Sequence, residues 1–136
     1  MFNKLSHIGI AVGNLEAASE IFSRLLNVKV SGSETVADQK VRLAFFHAGN
    51  TSLELLEPTS PDSPIAKFIG KRGEGIHHLS FEVDDIRAEL ARLKVEGYQL
   101  IDEQPRRGAG GLWIAFLHPK STNGVLIEIS QKIVNS

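Results

Sequence analysis

Apolar and polar residues alternate in short runs along this chain, and twice the alternation gives way to a spacing of three and four. From Leu5 to Val12 the alternation predicts a strand, with Ile8, Ile10 and Val12 on one face and His7, Gly9 and Ala11 on the other. Asn14 then stands as a helix cap. Leu15, Ala18, Ile21, Phe22 and Leu25 draw one apolar stripe along a helix from about Leu15 to Leu26, with Asn27 as its stop. Further strands are predicted around Val28–Val30, Lys40–His47 and Thr51–Leu56. A stretch rich in Ser, Pro and Gly follows, holding one short helix with Ser63 as cap and Pro64 in the first turn. The pattern then starts again. A strand at His78–Val83 leads to a cap at Asp84 or Asp85 and a helix from Ile86 to Glu96, ended by Gly97. Strands near Gln99–Ile101, Leu112–His118 and Val125–Ser130 complete it.

The two series are copies of each other. SHIGIAVGNLEAA (Ser6 to Ala18) lies over HHLSFEVDDIRAE (His77 to Glu89) at an offset of 71 residues, pairing His7 with His78, Val12 with Val83 and Leu15 with Ile86. AFFH (Ala44 to His47) falls on AFLH (Ala115 to His118) at the same offset. SLELL then meets LIEIS at an offset of 74, because the loop PKSTNG is longer than AGN, and Glu54 meets Glu128. Three matches in one order point to duplication. The predicted fold is therefore α+β, with two tandem βαβββ modules at about 5–58 and 76–132 and a linker over 59–75. A half of this size buries a limited core by itself. The expectation is one domain over residues 1–136, whose curved, cleft-enclosing mixed sheet carries its helices outside.

Composition narrows the functional classes. The chain has 136 residues, of which 42% are hydrophobic and 23% charged, an ordinary globular balance. A net charge of −1 argues against a grip on nucleic acid, which depends on concentrated positive charge. No apolar run suggests a membrane span, and the first residues do not resemble a signal peptide, so a cytoplasmic location is expected. With no cysteine, disulfides and thiolate metal sites are excluded.

Strand parity places the candidate chemistry. His7, Glu54, His78 and Glu128 each sit on the strand face opposite the apolar, helix-covered one. A single His or Glu on such a face is most often just solvated; duplication of both residues in matching positions is what points to a shared site. Two imidazoles and two carboxylates suit one divalent ion, and mixed nitrogen and oxygen ligation favours Zn, Mn, Fe, Co or Ni over Ca. Four protein ligands on an octahedral ion leave two positions for water or substrate.

The stretches HIGIAVGNLEAA, TSLELLEPTSPDSPIAKFIGKRGEGIHHLSFEVDDI and AFLHPKSTNGVLIEI resemble the vicinal oxygen chelate superfamily and, within it, the methylmalonyl-CoA epimerase family. With the spacing between them they cover nearly the whole chain. The resemblance implies metal ligands at His7, Glu54, His78 and Glu128, and interconversion of (2R)- and (2S)-methylmalonyl-CoA by proton transfer at C2 through a metal-stabilised enolate. It also implies Glu128 as a proton carrier. The family's second carrier is a Glu on the strand before Glu54, and the residue aligned with it here is Arg42, a departure. Glu54 is then the expected carrier on the opposite face. The other option is that Arg42 assists the substrate carboxylate while water or another carboxylate moves the proton. Lys120 is a candidate contact for the substrate carboxylate or a CoA phosphate. The arginines of RRGAGGLW read first as part of a hairpin loop and second as contacts for the CoA tail; His47 and His118 read as surface or turn residues. A lactoylglutathione lyase of the glyoxalase I type is the competing enzyme, and a metal-free small-molecule binding module the competing class. A homodimer is expected.

Overall fold

The computed structural model describes residues 1–134. Its contacts divide the chain into two compact units, one of residues 7–77 and one made by residues 1–6 with His78 onward.

In the first unit, β1 (Phe2–Ala11, from His7) leads to α1 (Leu15–Leu26), then β2 (Gly32–Val36), β3 (Val41–Ala48), β4 (Thr51–Pro58) and α2 (Pro64–Arg72). The strands lie in the order β2-β3-β4-β1. β1 and β4 run parallel, while β3 is antiparallel to both of its neighbours. The parallel pair needs a crossover, and α1 provides it. Asn14 caps α1 by accepting from the Ala17 N–H at 3.0 Å, and Asn27 ends the helix in the left-handed conformation at φ 55°. The helix packs Leu15 and Ala18 onto Val12, Ala44, Phe46 and Leu55, with Phe22 and Leu26 beside them. Ile21 and Leu25 do not join this core; they stand 63% and 70% exposed. They occupy the flank of the predicted stripe, and the sheet meets only the line through residues 15, 18, 22 and 26.

In the second unit, β5 (Gly75–Val83, from His78) leads to α3 (Ile86–Val95), β6 (Arg106–Gly108), β7 (Leu112–Leu117) and β8 (Ile127–Lys132), ordered β5-β8-β7-β6. β5 and β8 are parallel, and β7 is antiparallel to β8 and β6. Asp85 caps α3 through the Ala88 N–H. Val83, Ile86, Leu90, Ala115 and Ile129 form the core. Each unit thus repeats one βαβββ plan, as the duplicated pattern predicts, and the fold class is α+β with two tandem modules.

The third element of each module departs from expectation. Residues 28–30 form no strand: the Val28 N–H closes α1 on the Ser23 carbonyl, and β2 begins at Gly32. Around Gln99–Ile101 there is one isolated bridge, Leu100 to Leu117, and the strand itself is the polar Arg106–Gly108. Strand ends also shift, with β1 starting at Phe2, β5 at Gly75, and β8 running from Ile127 to Lys132.

Ser63 is fully buried, and its hydroxyl accepts from the Ile65 N–H at 3.1 Å to start α2, with Pro64 following. Ser63→Ala is expected to cost about 1 kcal/mol, read from the urea midpoint. An unchanged midpoint would remove this cap from the stability of α2.

Candidate metal centre

Each module sets a His and a Glu on one diagonal of its parallel strand pair. In the first unit Gly9 on β1 stands opposite Glu54 on β4, and His7 is two residues before it on the same face. His7 and Glu54 are 4% and 6% exposed, and Nδ1 lies 3.3 Å from Oε2. In the second unit Ser80 stands opposite Glu128, and His78 is again two residues earlier. These side chains are also buried, with His78 Nε2 3.9 Å from Glu128 Oε2. The diagonal is the same because the duplicated strands keep the same parallel register.

Aromatic rings wall both pairs. Phe45 on β3 is opposite Glu54, and Phe116 on β7 is opposite Glu128. The Phe116 ring also meets His78 edge-on, with centres 5.5 Å apart. Such walls exclude water and raise the cost of leaving a carboxylate charge uncompensated. A divalent ion answers that cost. Metal–ligand bonds of about 2.0–2.2 Å set neighbouring ligand atoms roughly 3–3.5 Å apart, a range that the His7–Glu54 separation of 3.3 Å meets and the His78–Glu128 separation of 3.9 Å exceeds. The donor set and its burial fit an ion.

The sequence candidates outside these pairs divide. Arg42 does not share the face of Glu54. Phe45 is opposite Glu54, so Arg42, three residues earlier on β3, points to the α1 side. There its guanidinium lies 2.8 Å from both Glu16 and Glu57, and Glu57 in turn accepts the Leu15 N–H at the start of α1. Both carboxylates hold Arg42 above its usual pKa, with Glu57 the larger cause, and Arg42 lowers that of Glu16, second to a backbone hydrogen bond. Arg42 therefore braces the helix start, on the face of β3 away from Glu54. The β3 residue beside it that does face the Glu54 side is Leu43, which is apolar and buried.

Lys120 is exposed in the short turn Pro119–Ser121, where its N–H donates to His118 Nδ1. His118 is thus a turn cap. His47 is exposed, its Nδ1 3.1 Å from the Ser52 hydroxyl. One carboxylate escaped the sequence reading. Glu34 on β2 is opposite Leu43, half-buried, on the same face as Glu54. The hydrophobic pattern gave no signal for it, since it placed this strand at Val28–Val30.

Comparison with known proteins agrees with this architecture. The family model described as the Glyoxalase/Bleomycin resistance protein/Dioxygenase superfamily matches residues 6–116. The mitochondrial methylmalonyl-CoA epimerase of Homo sapiens is 40% identical over 94% of this chain and 73% of its own length. The ethylmalonyl-CoA/methylmalonyl-CoA epimerase of Cereibacter sphaeroides is 41% identical over 96% of this chain and 99% of its own. Among solved structures, a methylmalonyl-CoA epimerase in complex with methylmalonyl-CoA and NH4+ superposes with a TM-score of 0.93 at 35% identity, covering 98% of this chain and 97% of that one. The chain belongs to the Glyoxalase/Bleomycin resistance protein/Dioxygenase superfamily and, within it, to the methylmalonyl-CoA epimerase family of isomerases.

Proposed function

We propose that this enzyme interconverts the (2R) and (2S) forms of methylmalonyl-CoA by moving the proton on C2, with one divalent metal held by His7, Glu54, His78 and Glu128. The observation that carries the reading is the pair of buried His–Glu diagonals, one per module. His7, His78 and Glu128 each offer one ligand atom of the right kind. The named relatives act on methylmalonyl-CoA, and one is solved with it bound. Co, Mn, Ni, Zn and Fe all suit the donor set.

When bound, the ion supplies Lewis acidity toward the negative charge that grows on the thioester oxygen as the proton leaves. The rest falls to the protein. Glu128 accepts the C2 proton on one face, and Glu54 returns a proton on the other. Phe45 and Phe116 keep water from the two carboxylates, which strengthens each electrostatic contact there. Lys120 receives the substrate carboxylate or a CoA phosphate.

The test is proton exchange at C2, followed as deuterium incorporation from D₂O by the cobalt-loaded enzyme. Chelator is expected to abolish exchange and added metal to restore it. Exchange that survives complete metal removal, verified by elemental analysis, would overturn the metal-dependent reading. Glu54→Gln is expected to slow epimerisation by roughly 10²-fold or more while single-face exchange by Glu128 persists. Full turnover in this variant would pass the role of second carrier to another group, with Glu34 first in line.

A further inference from the structure

On the α3 side of the second unit, two guanidinium groups flank one indole. Arg107 lies 5.3 Å and Arg87 6.0 Å from the Trp113 ring centre. Arg92 and Arg106 in this unit are tied to carboxylates; Arg87 and Arg107 have no such ion pair among the described residues. Register explains how the hairpin presents its arginines. Arg107 is opposite Trp113 and Arg106 is opposite Ile114, so neighbouring residues of the edge strand β6 leave it on opposite faces. Arg106 takes the face of Glu128. Its guanidinium lies 5.6 Å from the centre of Phe116 and is held by Asp102 at 3.2 Å, and Phe116 is the ring that packs on His78.

The edge strand β6 thus carries an arginine on each face, Arg106 on the face of Glu128 and Arg107 on the α3 side. On that face Arg87 also borders a groove of about 340 Å³. Leu90 and Leu100 give the groove apolar lining, and Lys94 lies on its wall, paired with Glu103 at 2.6 Å. Guanidinium groups match phosphate oxygens in pairs, and stacking on an indole leaves their edge N–H groups available. The apolar side of the groove, Leu90, Ala91 and Leu100, suits the face of a purine, and Gln104 on the polar side suits its edge. A plain carboxylate ligand would need neither the second arginine nor the groove.

Resting on the acyl-CoA reading above, we propose that Arg87, Arg107 and this groove bind the phosphorylated adenosine end of the CoA thioester. Arg106 marks the bend where the pantetheine arm leaves the Glu128 face. No bond changes here; the contacts add binding energy far from C2, which appears mainly in KM.

The experiment compares methylmalonyl-CoA with methylmalonyl-pantetheine, which lacks the phosphates and the adenosine. Arg87→Glu and Arg107→Glu are each expected to cut the preference for the CoA thioester, as a ratio of kcat/KM values, about tenfold. Arg107→Lys, which keeps the charge but loses the planar fork and the contact with Trp113, should fall between the parent and Arg107→Glu. Equal losses on both thioesters, or an unchanged preference, would overturn the proposal. Adenosine 3′,5′-bisphosphate is expected to compete with the CoA thioester, and non-competitive binding would instead mark a separate nucleotide site. Calorimetric titration with CoA lacking an acyl group separates the two readings. CoA binding that both charge reversals abolish, in a protein without C2 exchange, keeps the groove assignment and sinks the epimerase. C2 exchange without a preference between the thioesters does the reverse.

Discussion

Glu128→Gln is expected to lower kcat for epimerisation by about 10²–10⁴-fold, the range over which a positioned general base contributes. The residue is 4% exposed, it lies beside His78, and its strand position faces Phe116. Gln keeps nearly the same shape, so the packing around it should survive. What it loses is the ability to accept a proton and to hold negative charge near a cation. Two causes of the loss are separable. If Glu128 acts only as a ligand, raising the metal concentration until the site fills should restore turnover. If it also carries the proton, the fully loaded variant stays slow and its C2 deuterium exchange falls with it. Turnover within tenfold of the parent, at matched metal content, would sink the role.

The largest effect on stability is expected at Phe46. Its side chain is fully buried among Val12, Leu15, Ala18, Ala44 and Leu55, where β3 meets α1. Phe46→Ala removes that ring and leaves a cavity that a two-layer packing of helix on sheet closes poorly. A loss of about 3–5 kcal/mol is expected, a large part of the roughly 5–15 kcal/mol that holds a typical domain. The midpoint of urea unfolding should drop by about 1 M or more at ordinary slopes. Ile21→Ala is the matched control, since Ile21 is 63% exposed, and its cost should stay within about 0.5 kcal/mol. A cost below about 1 kcal/mol at Phe46 would mean that α1 does not anchor this sheet. Phe46 also bears on the candidate site, because β3 pairs with β4 and so holds Glu54 in place.

Some of this protein is written in short stretches of its sequence. The two His–Glu pairs follow from duplication and from the period of two along a strand, which need no knowledge of partners. Asn14, Asn27 and Ser63 announce helix ends through their own side-chain and backbone chemistry. Other features depend on pairing between distant segments, and there local pattern has little to say. Arg106–Gly108 becomes a strand only because Leu112–Ile114 offers it an edge, so no apolar alternation marks it. Gly32–Val36 is likewise a strand by virtue of β3, which puts Glu34 on the face of Glu54 and leaves Val28 and Val30 exposed. Arg42 and Leu43 are neighbours whose sides are assigned by the register of β3 on β4; one braces α1 and the other lines the face of Glu54. The sequence by itself determined the repeat, the matched His and Glu positions and the helix caps, because these arise from local chemistry and periodicity. The tertiary structure alone decided which edge segments pair and which face each residue takes, because a one-residue change of register turns every side chain to the other side.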